Sequence, residues 1–124
     1  MIKLLFFDDE VSWGKSIKRV FRDSSQFEIR VEHSAVKLLQ IIQDFKPDVV
    51  ITDIMMPDKD GMEVLQELGK SHPMLPIIAI SGGGPFGTEY TLETAKLLGA
   101  AKIIAKPFDI ETIYDAVMDC VQSG

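Results

Sequence analysis

Five short apolar runs alternate with five stretches of helical period along this chain. The runs fall at about 2–7, 27–32, 48–53, 76–81 and 102–105, and helical spacing fits about 10–22, 34–45, 60–70, 88–98 and 109–121. In the first helical stretch Trp13, Ile17, Val20 and Phe21 form one stripe, and in the last Ile110, Ile113, Val117, Cys120 and Val121 do the same, which is the spacing of one apolar helix face. Asp109 suits an N-cap, and Gly99 after Lys96-Leu97-Leu98 suits a helix stop. Strict strand–helix alternation predicts an α/β fold, a parallel sheet covered by helices on both faces. The runs at 48–53 and 76–81 lack a polar alternation, as central strands buried on both sides do. Right-handed crossovers make the sheet doubly wound, with ligands expected beyond the carboxyl ends of its strands, where strand order reverses.

That edge is where the polar chemistry collects. Asp8 and Asp9 close the run Ile2–Phe7, and Asp53 closes Val49-Val50-Ile51-Thr52. Packing does not ask for acid at the end of a buried strand. Carboxylates gathered so closely repel, and burial removes the water that would relieve them. A hard divalent cation with oxygen ligands offsets both costs, and Mg²⁺ is the usual choice where some waters are kept. Ser81 ends the run Ile77-Ile78-Ala79-Ile80, and Lys106 follows Ile103-Ile104-Ala105. A carboxylate nucleophile, Mg²⁺, a hydroxyl and a compact ammonium together describe phosphoryl transfer by positioning and charge neutralisation.

Composition narrows the picture. The 124 residues suffice for one domain with its own core. The net charge of −6 argues against a sequence-independent grip on nucleic acid, which needs a basic surface. One cysteine, Cys120, leaves no internal disulfide and fits a reducing cytoplasmic setting. The sequence shows no basic-then-apolar leader and no apolar run of bilayer length, so no membrane association is expected. The first strand opens the chain and the last helix closes it, so residues 1–124 are expected to form a single domain with no output domain.

With these residues in place the chain resembles a response-regulator receiver domain of the chemotaxis-receiver type. The resemblance rests on Asp8-Asp9-Glu10, on Asp53-Ile54-Met55-Met56-Pro57-Asp58-Lys59-Asp60-Gly61, on Ser81, and on Lys106-Pro107-Phe108, in order at successive strand ends. It implies a flavodoxin-like five-stranded sheet in the order 2-1-3-4-5. It also implies phosphorylation of Asp53 by a sensor histidine kinase or histidine phosphotransfer protein. By position, Asp9 would bind Mg²⁺ directly, Asp8 mostly through water, and the Met55 carbonyl would complete the protein ligands with Asp53. Lys106 would pair with the phosphoryl group, Ser81 would be the switch hydroxyl, and the Met55 and Gly82 N–H groups would be further donors. The Lys106–Pro107 bond is cis in relatives, which an X-Pro bond permits. On this reading the chain is not a turnover enzyme. It catalyses its own phosphorylation and dephosphorylation and thereby switches a protein-binding surface.

Two departures stand out. The stretch between Ser81 and Gly99 is about three residues longer than in compact relatives, the excess falling in Gly82-Gly83-Gly84-Pro85-Phe86-Gly87. Ile103 stands where relatives often carry a switching aromatic, so readout is expected through the glycine-rich segment and the helix after it. Rival readings have sequence marks against them. A haloacid-dehalogenase-type phosphatase wants Asp-x-Asp and a cap domain. A flavodoxin-like cofactor carrier wants a phosphate loop where Asp8 and Asp9 stand. A phosphorylation-independent docking module does not need the full set of groups. Of the remaining features, His33 and His72 lack metal spacing and read as surface residues, Cys120 as a buried inert thiol, and Trp13 as packing. Lys15, Lys18, Arg19 and Arg22 read as a solvated face near where the family docks its phosphodonor.

Overall fold

The computed structural model describes residues 1–8, 21, 26–54, 59–81, 88–105 and 108–123. Its strands are β1 (Ile2–Phe7), β2 (Phe27–Glu32), β3 (Val49–Asp53), β4 (Ile77–Ser81) and β5 (Lys102–Ala105). Its helices are α1 (Leu38–Phe45), α2 (Gly61–Ser71), α3 (Thr88–Leu97) and α4 (Ile110–Ser123). The first helix expected from the sequence, about 10–22, lies outside the described residues apart from Phe21, which is helical.

All strand pairs are parallel, in the order β2-β1-β3-β4-β5. Every residue of β3 and β4 is buried, as their unbroken apolar runs require of central strands. Alternate residues of each strand feed opposite faces. Leu5, Phe7, Val50, Ile77 and Ala79 pack with Leu38, Ile41 and Ile42 of α1, Val64, Leu65 and Leu68 of α2, and Ala95 of α3. Leu4, Phe6, Val49, Ile51, Ile78 and Ile80 pack with Phe21 and with Ile113, Ala116, Val117 and Cys120 of α4. On that second face the rings of Phe21 and Phe27 meet edge-on with centroids 4.9 Å apart, and Tyr114 stacks on Phe21 at 6.2 Å. Such aromatic geometry ties Phe21, β2 and α4 together. Burial holds the Cys120 thiol above its ordinary range, opposed by the charge of Lys102, which keeps it in the unreactive protonated form.

Helix boundaries follow local chemistry. The Asp60 side chain accepts from the Glu63 N–H at 3.0 Å and opens α2. Asp109 accepts from both the N–H (2.9 Å) and the hydroxyl (2.7 Å) of Thr112 and opens α4, as its residue type predicts. Gly99 takes φ 103° after α3, the left-handed stop that glycine supplies. α1 starts at Leu38 rather than near 34. Ser34 Oγ instead accepts from the Val36 N–H at 3.3 Å, and the Leu38 N–H bonds back to the Ala35 carbonyl at 3.0 Å. A side chain competing for backbone donors in this way delays a helix.

Gly61 meets β3 where that strand ends. A Cβ built there would stand 2.6 Å from the Asp53 carbonyl oxygen and 2.7 Å from Ile54 Cα. The Gly61 N–H also donates to the Ile54 carbonyl at 2.9 Å. Lys59 forms an ion pair with Glu67, fastening the approach to α2 onto the helix itself. The end of β3 and the start of α2 are therefore one packed unit.

Two stability experiments follow. Gly61→Ala drives a methyl into backbone that cannot swing aside, and is expected to cost about 1–3 kcal/mol in urea unfolding. Gly69→Ala, in the same helix with nothing within 4 Å of the new methyl, is expected to gain about 0.5–1 kcal/mol. Equal effects of the two substitutions would contradict the close approach at Gly61. The side-chain and then the backbone hydrogen bond from Thr112 hold the Asp109 carboxyl below its ordinary value of 3.8. A depressed acid stabilises the fold above its unfolded value and loses that contribution as pH falls through the folded one. Asp109→Ala is therefore expected to lower Tm at neutral pH, with the deficit closing below about pH 4. A deficit that does not change with pH would contradict the cap.

Candidate functional site

β1 and β3 run side by side and in register to their last paired residues, Phe7 and Thr52. The next residue on each chain is an aspartate. Asp8 and Asp53 thus stand together at the carboxyl edge of two adjacent central strands, with relative exposures of 1% and 4%. Aspartate is almost never this deeply buried without a specific partner or purpose. Both carboxylates arrive there because apolar residues before them must fill the core, so the sheet register delivers the acids.

Neighbouring groups hold that edge in place. The Asp8 N–H donates to the Glu32 carbonyl of β2 at 3.1 Å, and the Asp8 carbonyl accepts from His33 Nδ1 at 2.9 Å. The buried Thr52 hydroxyl donates to the Asp53 carbonyl at 3.1 Å. The Ile54 N–H donates to the Ile80 carbonyl of β4 at 2.9 Å. Asp53 pairs with Ile80, so the fully buried Ser81 stands one residue further along the neighbouring strand. Ser81 in turn pairs with Ala105, the residue before Lys106.

Of the residues singled out from the sequence, the structure thus gathers Asp8, Asp53 and Ser81 at one edge, on three consecutive strands. Asp9, Met55, Gly82 and Lys106 lie outside the described residues, as do Trp13, the basic residues Lys15, Lys18, Arg19 and Arg22, the glycines at 82–84 and the Lys106–Pro107 bond. Among the described residues no three acidic, histidine or cysteine side chains form a metal cluster, and Asp9 is not among them. The donors in view, two buried carboxylates, are the hard oxygen ligands that suit Mg²⁺.

Three residues of this edge escape a reading by pattern. Gly61 opens α2, where an Asp-Gly pair is poor for helix propensity and signals a close backbone approach. Thr52 looks like an ordinary β-branched strand residue. His33 is exposed, as expected, yet its ring engages the backbone of Asp8; its place directly after β2 was the available sign. A sizeable cleft lies elsewhere. It holds about 690 Å³ between the C-terminal ends of α1 and α2, lined by Leu39, Ile42, Pro47, His72 and Leu75. Pro47 and Leu75 precede β3 and β4, so this cleft is at the opposite, amino edge of the sheet.

Comparison with known proteins agrees with this edge-centred architecture. Residues 4–118 match the family model of the response regulator receiver domain. A chemotaxis protein CheY of Listeria monocytogenes is 32% identical over 118 residues, covering 94% of this chain and 96% of that protein. A protein-glutamate methylesterase/protein-glutamine glutaminase of Rhodospirillum rubrum is 34% identical over 107 residues, 86% of this chain. This chain spans only 28% of that protein's length. Among solved structures, the receiver domain of NtrX from Brucella abortus superposes with a TM-score of 0.87 at 30% identity, covering 98% of this chain and 99% of that one. A response regulator receiver domain protein from Clostridium thermocellum gives 0.89 at 27% identity, covering 99% and 96%. Fold, strand order and sequence thus agree, and the chain belongs to the response regulator receiver domain family of two-component signalling.

Proposed function

We propose that Asp53 is a phosphoacceptor, charged by a sensor histidine kinase or histidine phosphotransfer protein, and that its phosphorylation switches a protein-binding surface. The observation that carries this reading is the pair of buried carboxylates, Asp8 and Asp53, side by side at the carboxyl ends of β1 and β3. In the transfer a carboxylate oxygen of Asp53 attacks the phosphorus of a phosphohistidine. The P–N bond breaks, the imidazole leaves, and an acyl phosphate forms on Asp53. Asp8, Asp9, Asp53 and the Met55 carbonyl would hold Mg²⁺. When bound, the ion supplies charge neutralisation at the phosphoryl oxygens. Lys106 would set its ammonium against the same oxygens. The Ser81 hydroxyl and the N–H groups of Met55 and Gly82 would donate to them.

Magnitudes say why several donors are needed. The acyl phosphate carries about two negative charges, about one more than the carboxylate it replaces, and three strong acceptors. Moving a two-state equilibrium from about 1:99 to 99:1 takes about 5.5 kcal/mol of differential binding. One hydrogen bond to a charged group contributes about 1.5–3 kcal/mol. Ser81 alone falls short, whereas Ser81 with Lys106 and the backbone donors reaches the requirement. Turnover of external substrates is no part of this reading.

The test is direct. Incubation with labelled acetyl phosphate and Mg²⁺ is expected to leave one hydroxylamine-labile phosphate on the wild-type chain and none on Asp53→Asn. Unchanged labelling of the variant would overturn the assignment. Because a ligand of the folded state stabilises it, Mg²⁺ at a hundredfold excess over its dissociation constant should add about 2.7 kcal/mol to the unfolding free energy. Asp8→Ala should diminish that gain; a thermal melt indifferent to Mg²⁺ would count against the site.

A further inference from the structure

We propose that His33 is a positioning residue for the acid pair at residues 8 and 9, acting through the Asp8 carbonyl. This rests on the reading of Asp8 and Asp9 as cation ligands. The ladder that holds β1 stops at Phe7, paired with Glu32 on one side and Thr52 on the other. Asp8 is the first residue beyond that ladder. Its N–H is still secured by the Glu32 carbonyl at 3.1 Å. Its carbonyl meets the His33 ring, with Nδ1 2.9 Å from the Asp8 oxygen. A carbonyl oxygen only accepts, so Nδ1 carries the proton and donates it.

The consequence is geometric. The Asp8 carbonyl and the Asp9 nitrogen belong to one planar peptide unit. A grip on that carbonyl therefore fixes the plane in which the chain leaves Asp8 toward Asp9. Two consecutive residues, Glu32 and His33, hydrogen-bond the Asp8 N–H and carbonyl, so the end of β2 clamps the peptides on either side of the first acid.

Partners that orient metal ligands without touching the metal are worth about 10–100-fold in affinity. A contact to the ligand's backbone rather than its carboxylate belongs at the lower end. We expect calorimetric titration of the full chain with MgCl₂ to give a dissociation constant about tenfold weaker for His33→Ala than for wild type. His33→Asn should restore it, because Asn Nδ2 is a donor at the same bond distance from Cα as His Nδ1. Without metal, the ¹⁵N shift of the Asp9 amide should move in His33→Ala and return in His33→Asn, since that amide shares the gripped peptide. His33 is exposed, so both variants are expected to keep the fold. Wild-type affinity in His33→Ala, or an Asn variant as weak as the Ala variant, would overturn the inference while leaving the cation site intact. A wild-type chain that binds no Mg²⁺ would overturn the site itself and this inference with it.

Discussion

Two carboxylates share a buried edge because two apolar strands are in register. This juxtaposition is the constraint around which the molecule is organised. Leu4 to Phe7 and Val49 to Thr52 pair residue for residue because their side chains fill the two cores on either face of the sheet. A one-residue slip would exchange the faces of every core side chain in a strand. The same packing energy that forbids the slip therefore holds Asp8 beside Asp53. The electrostatic cost of setting two carboxylates together is borne by the hydrophobic core that fixes the register.

Several backbone contacts fix the acids at this edge among the described residues. Gly61 lets α2 approach within a distance no side chain would allow. Thr52 and Ile80 both engage the peptide that follows Asp53, and Glu32 with His33 engages the peptides on either side of Asp8. The mostly apolar cleft at the amino edge, with Lys46 and His72 in its lining, lacks these features despite its size. Volume is a poor guide to chemistry here, and burial of charge is a better one.

Most of the fold was legible because its signals are local. Unbroken apolar runs gave β3 and β4, Asp109 and Gly99 marked helix boundaries by capping chemistry, and strand–helix alternation implied a parallel sheet. The acids were legible because a carboxylate ending an apolar run has no packing purpose. What stayed hidden depends on contacts distant in sequence. Gly61 matters through the carbonyl of Asp53, and His33 through an oxygen 25 positions away. The start of α1 was misplaced because Ser34 and Ala35 have helix-compatible spacing, whereas the Ser34 hydroxyl takes the Val36 N–H. Periodicity registers which face a residue occupies but not which backbone group its side chain engages.

The central claim is that the carboxyl edge of β1, β3 and β4 takes a cation and a phosphoryl group together. Beryllofluoride with Mg²⁺ imitates the acyl phosphate, and amide shifts followed by NMR during its addition locate the response residue by residue. The account predicts large, saturable shifts at Asp8, Asp53, Ile54 and Ser81, dependent on both components, with the amides of Pro47's neighbour Lys46 and of Leu75 at the far cleft almost still. Shifts centred on that cleft, or none at the acid edge at saturating Mg²⁺ and beryllofluoride, would contradict it.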